Sequence, residues 1–183
     1  YLFGDHFLVA PIYRDSLTRA VTLPHGRWRY WFDDKEVIEG GTTFKREFPL
    51  HEYPVYVKDG AIVPMHISRA YTGIGDESWS PYLTLNIYPH GVSQFTVHHT
   101  DKSGELTVRV EEGSPLRVAL MGAMRKHILR ILLEQRPHRV EFNNVELHED
   151  AWEYQEEAHR LIVRNDRAVS GTYIIHFKAP VSE

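Results

Sequence analysis

Pro54-Val55-Tyr56-Val57-Lys58-Asp59-Gly60-Ala61-Ile62-Val63-Pro64 sets two short runs of β-branched and aromatic residues on either side of Lys-Asp-Gly. Such residues suit a pleated, half-buried surface, and Asp-Gly favours a tight turn with positive φ. The stretch therefore predicts a β-hairpin. The same grammar repeats upstream. Val21-Thr22-Leu23 stops at Pro24-His25-Gly26, Trp28 to Phe32 stops at Asp33-Asp34-Lys35, and Val37-Ile38-Glu39 runs into Gly40-Gly41. Thr42 to Phe48 alternates apolar and polar residues, as a strand with one buried face does.

Downstream, Leu83 to Tyr88 and Phe95 to His99 flank Pro89-His90-Gly91 and predict a second hairpin. Leu106 to Val110, Leu116 to Leu120, Val140 to Leu147, Leu161 to Val163 and Tyr173 to Phe177 read as further strands, with a tight turn at Asn143-Asn144. Turn signals at intervals of roughly 8–12 residues indicate an all-β sandwich or barrel architecture. Two stretches pull the other way. Ala119 to Gln135 is rich in helix formers, and Asp150 with Glu153 resembles a capping box ahead of Trp152 to Arg160. Gly122 and the half-buried pattern of Val118, Ile128 and Ile131 favour strands in the first, and the need to cover a second sheet favours strands in the second. Residues 66 to 81, with Gly73 and Gly75 and no periodicity, read as a linker or exposed loop.

The 183 residues suffice for one large domain or two small ones. Hydrophobic residues make up 42% and charged ones 25%, so a core can form. No segment approaches the ~18 consecutive apolar residues of a spanning helix, which predicts no membrane partner. Net charge is −4, and the densest basic stretch is Arg125, Lys126 and Arg130, with Arg136 and Arg139 beyond it. That is too thin for a nucleic-acid footprint. The chain has no cysteine, which excludes disulfides and thiolate chemistry.

Twelve histidines raise the question of a metal. His51-Glu52 and His148-Glu149 each lack the second histidine of a His-Glu-x-x-His helix, and His98-His99 would point to opposite faces of a strand. No metal and no cofactor is expected. Asp33-Asp34, Glu111-Glu112 and Glu156-Glu157 are consecutive pairs, read as solvated charges rather than a catalytic pair. Among the aromatics, Trp28 and Tyr30 share one strand face and Trp31 takes the other, so core packing accounts for them. Trp79, in the linker, is the one candidate for contact with carbohydrate.

The chain opens on Tyr1-Leu2-Phe3-Gly4-Asp5-His6-Phe7-Leu8-Val9-Ala10-Pro11-Ile12, without an initiator methionine. Phe7 to Ala10 reads as a buried strand that needs upstream neighbours. Gly4-Asp5, the apolar run and Ala10-Pro11 resemble the last barrel strand of glycoside hydrolase family 31. Val21 to Trp28, Glu39-Gly40-Gly41 and Leu83 to Val97 resemble the sandwich domains that follow that barrel. Pro49-Leu50-His51-Glu52-Tyr53-Pro54 through Pro64 is the most specific likeness. The resemblance covers residues 1 to 100 and then fades to strand order, anchored at Val140 to Leu147 and Trp152 to Tyr154. The chain departs from the family at Lys58-Asp59, where an arginine and a small residue are common. It departs again at Arg29-Tyr30, where an aspartate is frequent, and at His99 to Lys102.

The resemblance implies two β-sandwich domains: residues 1–12 would end the catalytic (β/α)8 barrel, 13–78 form a proximal sandwich and 79–183 a distal one. It implies a parent enzyme that is a retaining α-glycosidase acting on α-glucosides, α-xylosides or α-galactosides. The family's Trp-x-Asp-Met-Asn-Glu type nucleophile motif does not occur here, so no catalytic residue is assigned and this chain alone is expected to be inactive. Its expected partner is the upstream barrel of the same polypeptide, which it would brace. The alternative is an independent carbohydrate-binding sandwich that holds oligosaccharide through exposed aromatics such as Trp79.

Overall fold

The structure, a computed structural model, describes residues 1–14, 16–70 and 73–178. It is all-β: among the described residues there are eighteen strands, and the helical turns it contains are short 3₁₀ turns. The chain divides into two units, Tyr1–Ala61 and Ile62 onward.

In the first unit, β1 (Leu2–Phe3), β2 (Phe7–Val9), β4 (Arg27–Tyr30), β5 (Asp33–Glu39) and β7 (Val55–Lys58) form one sheet in the order β1-β2-β7-β4-β5. A separate ribbon pairs β3 (Thr18–Leu23) with β6 (Thr42–Glu47), Val21 opposite Phe44. Alternation fixes the ribbon's orientation. Val21 and Leu23 are fully buried, while Thr22 points out and shares a 2.9 Å hydrogen bond with Thr43 across the pair. The inward side chains meet Leu8, Trp28, Tyr30 and Tyr56 of the sheet in one core cluster. Tyr30 stacks at a tilt on both Phe48 and Tyr56, at 5.7 and 5.5 Å between ring centres.

The second unit is a two-sheet sandwich. One sheet contains β10 (Val92–His98), β11 (Glu105–Glu111), β12 (Leu116–Gly122), β14 (Arg139–Phe142), β15 (Val145–Glu146) and β18 (Gly171–His176), in the order β10-β11-β12-β18-β14-β15. The other contains β8 (Ile62–Met65), β9 (Leu83–Ile87), β13 (His127–Leu132), β16 (Trp152–Gln155) and β17 (Arg160–Asn165), in the order β16-β17-β13-β9-β8. The strands β9 and β13 run parallel and every other pair is antiparallel. Leu106, Val108, Val110, Val118 and Leu120 from one sheet bury against Leu85, Ile87, Leu129, Ile131 and Val163 from the other. At ~25 cal/mol per Å² of apolar surface removed from water, that double layer is the main source of stability.

Two expectations change. The Lys58-Asp59-Gly60 turn does not make a hairpin: β7 pairs with β2 and β4, whereas β8 pairs with β9. Nor do Leu83 to Tyr88 and Phe95 to His99 pair, because β9 and β10 lie in opposite sheets. Phe7–Val9 is hydrogen-bonded between β1 and β7. Ile62–Met65 adds to the second unit's sheet, and the two units divide at Ala61. The segment read as a linker therefore belongs to the second unit, where Ile67 is buried; Tyr71, Thr72 and residues 179–183 lie outside the described residues.

Both ambiguous stretches contain strands. Gly122 ends β12 at φ +109°, where a Cβ would stand 2.3 Å from the Glu105 carbonyl oxygen. The Asp150 capping box is instead a 3₁₀ turn, Glu149–Ala151, whose cap is His148 accepting from the Asp150 amide. Asn143 and Asn144, both at positive φ, make the tight turn between β14 and β15.

Candidate functional site

The acidic pairs do not assemble. Asp33 and Asp34 open β5 rather than occupying a turn, since the chain reverses at Trp31-Phe32; Asp33 is exposed and lies 3.9 Å from Lys35 Nζ. Glu111 accepts from Arg109 Nε at 2.9 Å, and Glu112 accepts the Gly91 amide at 2.6 Å. Glu156 pairs with Arg136 at 3.2 Å. Asp33, Glu111, Glu112 and Glu156 thus each answer a neighbouring cation or amide.

Histidines are equally dispersed. His98 meets Glu105 at 2.9 Å on an exposed surface, while His99 Nε2 lies 2.7 Å from the Ala123 carbonyl oxygen. Among the described residues no three His, Asp or Glu side chains come together as a metal site would require. Among the described residues the one deeply buried imidazole is His127, which the sequence pattern did not single out. Its Nδ1 faces the Arg125 carbonyl at 3.0 Å and must donate, so Nε2 accepts from the Tyr173 hydroxyl at 2.7 Å. Asn165 Nδ2 in turn donates to that hydroxyl at 2.7 Å. Burial pushes the His127 pKa down and raises that of Tyr173 to about 12, so the network is held neutral.

Trp28 and Tyr30 are core residues. The indole Nε1 of Trp28 donates to the Pro24 carbonyl at 2.9 Å, and the Tyr30 hydroxyl donates to Glu52 at 2.5 Å. Trp31 packs edge-on against Phe7, with 5.3 Å between ring centres.

Trp79 lies elsewhere. It ends a 3₁₀ turn, Glu77–Trp79, that Asp76 caps by accepting the Ser78 amide at 2.8 Å. The half-buried ring lines a cavity of about 370 Å³ together with Trp152, Ile162, Arg164 and the carboxylates of the 149–153 segment. A second cavity, of about 980 Å³, continues past the same segment toward Gln135, Arg136 and Lys178. Trp152 borders both cavities and also packs against the sandwich core. Arg164 extends over the Tyr82 ring, 4.9 Å from its centre, while the Tyr82 hydroxyl donates to Asp166. Sequence alone could single out Trp79 as an aromatic outside any strand. It gave no reason to join Trp79 to β16 and β17.

The first unit presents a different surface. Among the described residues, Tyr1, Leu2, Phe3, Tyr13, Leu17, Phe32, Leu50 and Tyr53 are exposed there, Leu50 to 92%, against Val92, Met121, Val145 and Val169 in the larger second unit. The edge strand β1 supplies two of them, Leu2 and Phe3.

A five-stranded sheet with its ribbon, followed in the chain by a two-sheet sandwich, defines an all-β protein of the sandwich class. Residues 1–63 match the family described as Glycosyl hydrolase family 31 C-terminal domain. Over those residues the chain is similar to the C-terminal domain of this glycoside hydrolase family.

Among its relatives, an isomaltosyltransferase of Sporosarcina globispora is 33% identical over 101 residues, covering 52% of this chain and 9% of that protein. Alpha-glucosidase 2 of Bacillus thermoamyloliquefaciens is 32% identical over 120 residues, covering 64% of this chain and 14% of that protein. The fold matches the Flavobacterium johnsoniae family 31 dextranase, a D412A mutant complexed with isomaltotriose. There the TM-score is 0.80 at 20% identity, over 95% of this chain and 26% of that one. The chain thus spans only a small part of the length of its relatives.

Proposed function

We propose that this chain is the non-catalytic C-terminal part of a retaining α-glycosidase, in which the first unit braces the catalytic barrel of the same polypeptide. The observation that carries the reading is the crowding of exposed apolar side chains into the smaller unit. Large exposed apolar area is unfavourable in water and marks a surface that another body covers. An apolar edge strand such as β1 is a particular hazard if left open. The relatives' names, isomaltosyltransferase and alpha-glucosidase, supply the α-glucosidic substrate class. Retaining hydrolysis needs two carboxylates about 5 Å apart on a rigid frame, and at least one member of each acidic pair described above is engaged by a neighbouring cation or amide.

The test compares the 183-residue chain with the same chain carrying its upstream coding region, on nitrophenyl α-glucoside, α-xyloside and α-galactoside. Hydrolysis by the longer protein alone is expected. Turnover by the short chain would overturn the proposal.

A further inference from the structure

We propose that the groove beside Trp152 on the second unit, running from Trp79 toward Lys178, binds an uncharged oligosaccharide. The two cavities that form it are neighbours, both lined by Glu149, Asp150, Trp152 and Glu153. Each falls within the roughly 300–1,000 Å³ typical of small-molecule sites. The site lies on the second unit and is separate from the bracing surface of the first.

Three features choose the ligand. The first is a ring held flat. A Cβ built at Gly75 would stand 2.5, 2.8 and 2.8 Å from Cδ2, Cε2 and Cε3 of Trp79, which puts the Gly75 backbone directly over one face of the indole. A glycine is what permits that approach. The ring is thereby braced from behind as it borders the cavity, a platform on which the apolar C–H face of a pyranose can lie. The second feature is a second indole, Trp152, fixed by its contact with the core and bordering both cavities. Two anchored indoles along one groove suit a chain of rings better than a single sugar.

The third feature is charge. The groove carries Arg136, Arg164 and Lys178 against Glu149, Asp150 and Glu153, three cations facing three carboxylates. An anionic or cationic polymer would meet as much repulsion as attraction there, so electrostatics select against both. Sugar hydroxyls both donate and accept, and can therefore bond to the guanidinium groups and the carboxylates alike.

The test is isothermal titration of the 183-residue chain with maltoheptaose, isomaltotriose, cellohexaose and a xyloglucan heptasaccharide, with oligogalacturonate as the charged comparison. At least one neutral oligosaccharide is expected to bind with a Kd of about 1 mM. Trp79→Ala and Arg164→Gln should each weaken it about tenfold, with melting temperatures unchanged because both side chains lie outside the core cluster. Trp152→Ala removes core contact as well, so it is read only beside its melting curve. Absence of heat with all four neutral ligands at millimolar concentration overturns the proposal. So does binding that survives both surface variants, or tighter binding of oligogalacturonate than of any neutral chain. Because no hydrolysis is measured, these outcomes are independent of whether the longer protein is a glycosidase.

Discussion

Arg29 Nε donates to Asp59 Oδ1 at 2.5 Å, with both side chains almost wholly removed from solvent. The guanidinium also donates to the Asp34 and Lys35 carbonyls, at 3.0 and 2.8 Å, and so ties β4, β5 and the turn after β7 together. Arg27 Nε stands 3.2 Å from Oδ2 of the same carboxylate, an ion pair without hydrogen-bond alignment. Residues 29 and 59 are two of the positions where the sequence departs from the family pattern, and in the structure they are partners. Removing one member of a buried pair leaves the other charge uncompensated, at a typical cost of about 3–5 kcal/mol. Arg29→Ala should therefore lower unfolding free energy by roughly 3 kcal/mol. In a urea double-mutant cycle, R29A/D59A should lose clearly less than the sum of the two single variants. Additive losses would show that the pair is not coupled.

Gly40 gives a sharper test of local packing. A Cβ at that position would sit 1.8 Å from the Pro24 carbonyl oxygen, which also lies under the Trp28 indole hydrogen bond. Backbone cannot step aside as a flexible side chain can. Gly40→Ala should destabilise the chain by well over about 1 kcal/mol. Gly91→Ala, at φ +57° with nothing within 4 Å of the new carbon, should cost only the left-handed backbone penalty of about 1–2 kcal/mol. Equal thermal shifts in the two variants would refute the steric account.

Strand positions were legible because they rest on period-two alternation, which Val21, Thr22 and Leu23 keep faithfully. Turns were legible too: Gly60 and Gly91 both adopt the positive φ that their sequences suggested. Strand partners were not. A turn signal reports how the backbone reverses, and a sandwich uses the same chemistry to reverse within one sheet or to cross to the other. Asn143-Asn144 reverses within a sheet, whereas Pro89-His90-Gly91 crosses between two. Which occurs is decided by the faces that must be buried, a property of the assembled core. The groove was half legible for the same reason. Trp79 stood out by lying outside any strand, but Trp152 and Arg164 reach it only through the pairing of β16 with β17.

His127 makes stability depend on pH in a definite direction. Burial lowers its folded pKa below the ordinary 6.5, so the unfolded chain binds the proton more readily. The neutral imidazole's contribution is complete above about pH 6.5 and is lost as pH falls from there toward the folded pKa. One such group gives a slope of at most about 1.4 kcal/mol per pH unit. Urea melts taken at pH values just above and below 6.5 should show the loss, and His127→Asn, less stable at neutral pH, should show much less of it. An unchanged pH slope in that variant would mean another group titrates.

The exposed apolar side chains of the first unit predict how the chain behaves without a covering partner. Phe3 is 67% exposed on the edge strand β1, and Leu50 is 92% exposed between β6 and β7. Neither belongs to the core cluster, so replacing them should leave the fold intact. Apolar edges and protruding leucines drive association in water. The 183-residue chain should accordingly self-associate in sedimentation velocity at micromolar concentration, and Phe3→Lys with Leu50→Lys should shift it toward monomer. The double variant should melt within about 0.5 kcal/mol of the parent, as surface substitutions usually do. On the proposed bracing role, the same two lysines should instead lower stability or activity in the longer protein. A parent chain that is already monomeric would remove the main support for that role, while a monomeric variant beside an associating parent would locate the associating surface.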